Sequence, residues 1–190
     1  IKHFSQLHPI LTPLILTTFY TAIVAIPTPL AASVCIIAGF LFPLTAAIIY
    51  ASIAETLGSL ILLHAVGTTF GQRIQQSSST RIQMVVKNMR TSATLYIITL
   101  RLLCVFPSAI INIAAGLVKI PTSRYAIITF FSSLPAAFVF SLFGRGVEKT
   151  LLSEKPIHAG DLFTPPIIIF LIVFISLTIA AHLYQRHRKK

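Results

Sequence analysis

Arg101-Leu-Leu-Cys-Val-Phe-Pro-Ser-Ala-Ile-Ile-Asn-Ile-Ala-Ala-Gly-Leu-Val-Lys-Ile-Pro121 is apolar enough for lipid, yet it carries an arginine, an asparagine, a glycine and two prolines. A proline in a helix interior removes a backbone hydrogen bond and clashes with the preceding turn. Hydrocarbon offers no water to repair that loss, so broken backbone survives only under a cover of protein or beside a wet cavity. Two helix breaks this close, next to a charge, predict a segment that enters the membrane, turns and leaves by the same face. A kinked spanning helix with a snorkelling arginine is the plainer alternative.

The rest of the chain agrees with a membrane setting. Of 190 residues, 55% are hydrophobic and 10% charged, against about 25% charged in an average soluble domain. The net charge of +11 does not point to nucleic acid, because the cations gather at two apolar borders. Arg73 to Arg90 and Arg186 to Lys190 each hold four positive residues and no acid, the pattern of cytoplasmic flanks. Cys35 and Cys104 lie in apolar runs without ligand spacing, so no disulfide framework, metal site or cofactor is expected. Nothing reads as a cleavable signal peptide; the hydrophobic segments are themselves the membrane address.

Taken in order, Pro9 to Ala25 is an apolar stretch just long enough to cross or to lie partly embedded. Ile26-Pro27-Thr28-Pro29 breaks the chain, and a second apolar piece runs to Ala38-Gly39-Phe40-Leu41-Phe42-Pro43. Leu44 to Phe70 is a long span containing Glu55, Gly58, His64 and Gly67. After a serine-rich connection, Ile82, Val85, Val86 and Met89 recur at helical spacing, with Arg81, Lys87 and Arg90 off that stripe. The spacing predicts an amphipathic helix on the membrane surface, or a linker helix packed on the protein. Thr122 to Gly144 spans again, interrupted by Pro135. Arg145 to Thr164 is a polar loop whose three cations and three acids cancel, which places it outside. Ile167 to Tyr184 is a last span, followed by the basic tail.

A shift of 77 residues lays Ala38-Gly39 on Ala115-Gly116 and Gly58 on Pro135, with Pro43 one position from Pro121. Charge adds that the span ending near Phe70 finishes inside and the span from Thr122 begins inside, so the two run in opposite directions. The expected fold is one all-α integral membrane domain over residues 1–190, an inverted repeat of re-entrant hairpin plus transmembrane helix with an extra C-terminal transmembrane helix. Its parts are a first half (22–71), a cytoplasmic amphipathic linker (72–92), a second half (96–147) and a final helix (165–185). Such a plan places a substrate site between facing broken segments.

Ile26-Pro27-Thr28-Pro29 with Ala38-Gly39-Phe40-Leu41-Phe42, and Arg101 with Phe106-Pro107, Asn112, Ala115-Gly116 and Pro135, resemble the DedA family, also called the SNARE-associated Golgi protein or VTT-domain family. The resemblance covers roughly Val24 to Gly144. It implies two re-entrant hairpins and movement of lipids across or between leaflets, with lipid-phosphate carriers among bacterial relatives, scramblases among eukaryotic ones, and proton coupling proposed for some. The chain departs from the pattern in lacking an acid beside the first proline pair. It also has Leu62-Leu63-His64-Ala65-Val66-Gly67 where many relatives carry an arginine.

Arg101 is the sharpest candidate for transport or substrate binding. A cation in lipid is costly, and its guanidinium can grip a phosphate with two parallel hydrogen bonds. The alternatives are snorkelling or a structural pair with Glu55, the only acid between Ile1 and Val147. Glu55 could carry a proton or serve as that partner. Asn112 could stitch broken backbone or touch ligand. Pro27, Pro29, Gly39, Pro107, Gly116 and Pro135 would act through the backbone of the broken segments, and His64 reads as a satisfied interior histidine. No catalytic constellation is present, so an enzyme is not expected. The expected partners are membrane lipids, anionic phospholipid or lipid phosphate, and not nucleic acid; a homo-oligomer is compatible with the sequence. A scaffold recruiting partners and a proton-coupled carrier of a small soluble ion are the competing functions. Short termini favour a bacterial inner membrane, with the C-terminus cytoplasmic.

Overall fold

A computed structural model describes residues 10–26, 30–70, 80–103 and 107–152, and within them every regular element is helical. The elements are α1 (Leu11–Ala25), α2 (Ala31–Leu41), α3 (Leu44–Ala65), α4 (Thr80–Leu103), α5 (Ser108–Val118) and α6 (Thr122–Leu152), with a single π-helical turn, Val66–Phe70, extending α3. Pro27, Pro29, Cys104, the polar connection after Phe70 and the expected final span at 165–185 lie outside the described residues.

Prolines set where helices begin. Pro43 and Pro107 precede α3 and α5 with extended ψ angles of 144° and 135°, where a missing N–H costs nothing. The carbonyls of Pro43 and Pro121 accept the first bonds of the two long helices, from Ala47 N–H at 2.9 Å and Tyr125 N–H at 3.0 Å. α5 closes on Lys119, in the left-handed conformation at φ 57°. Its N–H bonds the Gly116 carbonyl at 3.1 Å, and the Ile120 N–H bonds the Ala115 carbonyl at 3.3 Å. This paired closure usually places glycine where Lys119 stands.

Length sorts the helices. α2 and α5 have 11 residues each, a rise of about 16 Å, roughly half of a ~30 Å hydrocarbon core. Residues 44–68 and 122–148 are long and apolar enough to cross a membrane. α6 runs unbroken through Pro135 and on to Leu152, so the expected interruption is not a break and the polar stretch after Gly144 begins as helix. Ser132 and Ser133 donate to the carbonyls of Ile128 (2.6 Å) and Phe130 (2.9 Å), in the turn ahead of the proline.

The two long helices pack on each other, α2 lies against α6, α5 against α3, and α4 against both α5 and α6. Glycines sit at these crossings. A Cβ on Gly39 would collide with the backbone of Ser141, and one on Gly144 with the carbonyl of Ile36. One on Gly116 would lie 2.8 Å from the carbonyl oxygen of Leu63. Close backbone approach at small residues is how helices associate where water supplies no hydrophobic force.

The lateral surface is apolar and part of the interior is polar. On α3, Ile49, Ile53, Leu57 and Ile61 form an exposed stripe, while Ser52, Glu55 and Ser59 are buried on another face. A water-soluble fold inverts this arrangement, and an exposed apolar band of this extent marks a surface that water does not cover.

The segment expected on the membrane surface is packed against protein. Val85 and Met89 are buried in a cluster with Leu63, Ile97, Ile111, Tyr125 and Ile128, while Lys87 and Arg90 are exposed. A helical stripe in a sequence states which face is apolar, not whether lipid or protein covers it. Ser92, at φ −156° and ψ 77°, bends α4 where this arm meets the inner part. Met89→Glu is therefore expected to lower folding stability by about 3 kcal/mol or more, through an unpaired buried charge. Thermal melting in detergent measures this; an unchanged melting point with weakened vesicle association would return the stripe to lipid.

Candidate functional site

Three positions on α3 and one on each of the other helices converge. Ser52, Glu55 and Ser59 follow i, i+3, i+7 spacing, which puts them on one face of α3. Arg101 lies in the last turn of α4, where the helix dipole favours a cation. Its Nη1 donates to Glu55 Oε1 at 3.0 Å, with both side chains less than a tenth exposed. Its Nη2 donates toward Asn112 Oδ1 on α5 (2.9 Å), Ser59 Oγ (3.2 Å) and Tyr125 OH on α6 (3.3 Å). Tyr125 in turn donates its hydroxyl proton to Asn112 Oδ1.

Glu55 faces the other side as well. Its Oε2 accepts from Tyr20 OH of α1 at 3.3 Å, and the Tyr20 oxygen lies 3.1 Å from Cys35 Sγ of α2. With the Tyr20 proton directed at the carboxylate, the thiol is the donor in that last contact. The carboxylate thus joins α1 and α2, through Tyr20, to α4, α5 and α6, through Arg101. A buried ion pair loses several kcal/mol of hydration per ion, which its mutual attraction offsets only when neighbouring hydrogen bonds complete both groups. The hydroxyls and the amide supply those bonds.

Two donors in this region are uncommitted. Asn112 Nδ2 and Ser52 Oγ are fully buried and have no hydrogen-bond partner among the described residues. Placed beside a guanidinium, an amide N–H can donate to an anion that the guanidinium attracts.

The sequence-predicted residues fall into two groups. Arg101, Glu55 and Asn112 meet in one network. Gly39 and Gly116 serve helix crossings, Pro107 is exposed at the start of α5, and Pro135 is half-buried within α6. His64 is exposed rather than interior, with its Nε2 3.3 Å from Thr122 Oγ1. Tyr20, Cys35, Ser59 and Tyr125 complete the site without having been anticipated. The spacing of Ser52, Glu55 and Ser59 was a readable signal; the tyrosines gave none, since an aromatic in an apolar run reads as packing.

Short helices paired with long ones, an apolar exterior and a buried charge pair define a helical membrane protein. The family model for the VTT domain matches residues 26–146. The chain therefore belongs to the VTT-domain family, the DedA/SNARE-associated Golgi group of membrane proteins. Neither the curated proteins nor the solved structures gave a match.

Proposed function

We propose that this protein moves anionic phospholipid or lipid phosphate across the bilayer, as a transporter and not an enzyme, with Glu55 as the group through which a proton would be linked. The observation that carries this reading is the buried Arg101–Glu55 pair, which joins two sets of helices that include members too short to cross. Phosphate chemistry suits the pair: an incoming phosphate competes with the Glu55 carboxylate for the same guanidinium fork, and Asn112 Nδ2 adds a donor beside it. Protonation of Glu55 would weaken its hold on Arg101 and free the fork for the headgroup.

Glycine contacts support an inverted repeat with re-entrant hairpins. The shift that lays Gly39 on Gly116 also lays Gly67 on Gly144, and all four face the opposite half of the chain: Ser141, Leu63, Gly116 and Ile36 are their respective neighbours. In this arrangement α1–α2 and the inner part of α4 with α5 are the hairpins, α3 and α6 the spans. The proposed setting is a bacterial inner membrane, with the basic tail after Tyr184 in the cytoplasm.

Reconstituted vesicles test the reading. The protein is expected to move a fluorescent phosphatidic acid between leaflets, Arg101→Lys to recover only part of that rate, and Arg101→Gln with Glu55→Gln to fall to the level of protein-free vesicles. The double change removes both charges while keeping hydrogen-bonding side chains, so loss of transport would not reflect a stranded ion. A neutralised pair that transports like the unaltered protein would remove the pair from the mechanism. A scaffold without transport would show no rate above protein-free vesicles in any form.

A further inference from the structure

Arg124 is exposed on the first turn of α6, one residue before the Tyr125 that binds Arg101. Its Nη2 donates to Thr94 Oγ1 on α4. Thr94 and Arg101 are seven residues apart in the part of α4 beyond the bend. Seven residues make about two turns, so the two share a face and stand about 10 Å apart along the axis. Two guanidiniums therefore lie along one face of α4, one buried and one at the rim of the span. Lys119, exposed, sits in the connection just before α6, fixed by its left-handed turn. The acids among the described residues are Glu55, which binds Arg101, and Glu148, which is 24 residues farther along α6, about 36 Å. Lys119 and Arg124 are thus two exposed cations five residues apart in the sequence, on either side of the start of α6, and the described acid on α6 lies far along that helix.

We propose that Arg124 and Lys119 form a surface capture site for the phosphate of an anionic lipid, which then passes along α4 to Arg101. The passage rests on the transport reading above; the capture does not. Arg124 spends one nitrogen on Thr94 and retains further N–H donors on its planar fork for phosphate oxygens. Lys119 contributes a mobile point charge from a rigid backbone position.

The test measures binding of short-chain phosphatidic acid, short-chain phosphatidylcholine and inorganic phosphate to the detergent-solubilised full chain. Arg124→Gln and Lys119→Gly are each expected to weaken phosphatidic acid binding about five-fold, the effect of one surface cation on an anionic lipid. Phosphatidylcholine binding should stay unchanged, and inorganic phosphate should bind far more weakly than phosphatidic acid. Lys119→Gly keeps the favoured residue for its turn, so it reports on charge even if Arg124→Gln fails to fold. Unchanged phosphatidic acid affinity in both variants would overturn the capture site, and so would inorganic phosphate binding as tightly as the lipid. Weakened binding with no translocation by the unaltered protein would sustain capture and end the transport reading. Translocation with unaffected binding would do the reverse.

Discussion

Arg101→Ala is expected to cost about 3–5 kcal/mol of folding stability, the effect of removing one partner from a buried ion pair. The cost would come less from the lost bonds than from the Glu55 carboxylate, which keeps only the Tyr20 hydroxyl as a hydrogen-bond partner among the described residues. Glu55→Gln in the same chain should return a large part of that loss, because the stranded charge is gone. Tyr20→Phe alone should cost less, about 1.5–3 kcal/mol for one hydrogen bond to a charged group. Melting in detergent of the unaltered chain, Arg101→Ala, Glu55→Gln alone and the double variant closes a double-mutant cycle. A double variant no more stable than Arg101→Ala would mean that Glu55 finds other compensation, and the network would not be held by this pair.

Much of this site was legible before the fold was known, and the reason is energetic. A charge in an apolar run is expensive, so Arg101 and Glu55 stood out one by one, and each had the other as its natural partner. What sequence could not supply was distance: 46 residues separate them, and nothing local says that α3 and α4 meet at those turns. Tyr20 and Tyr125 were hidden for a different reason. Their rings are at home in a core, and only three-dimensional placement shows that the hydroxyls point at ions. The 82–89 stripe shows the same limit from the other side, since periodicity fixes a face but not what covers it. His64 differs from its expected interior place because a long apolar run does not say where a helix ends: it stands exposed near the end of α3, beside the start of α6.

The glycines carry the second large expectation. Gly39→Ala should cost at least ~3 kcal/mol, at the upper end of overpacking effects, since its Cβ would overlap backbone atoms of Ser141 and not a side chain able to move aside. Gly144→Ala should act similarly, meeting the Ile36 carbonyl from the other helix of the same contact. Gly116→Ala should fall lower in the series, because its nearest neighbours are the Leu63 carbonyl oxygen at 2.8 Å and the Val66 side chain at 3.0 Å. Gly67→Ala is the internal control: its nearest neighbour, the Gly116 carbonyl oxygen, would be 3.7 Å away, an ordinary contact. Surface-like tolerance, within about 0.5 kcal/mol, is expected there. The order follows from α2 and α6 approaching backbone to backbone, the packing that small residues permit in membranes. Folded yield and melting temperature in detergent rank the four variants. A Gly39→Ala protein that melts with the unaltered chain, or a Gly67→Ala protein that melts below the Gly39→Ala protein, would show that this crossing is not the close contact on which the packing of α2 against α6 depends.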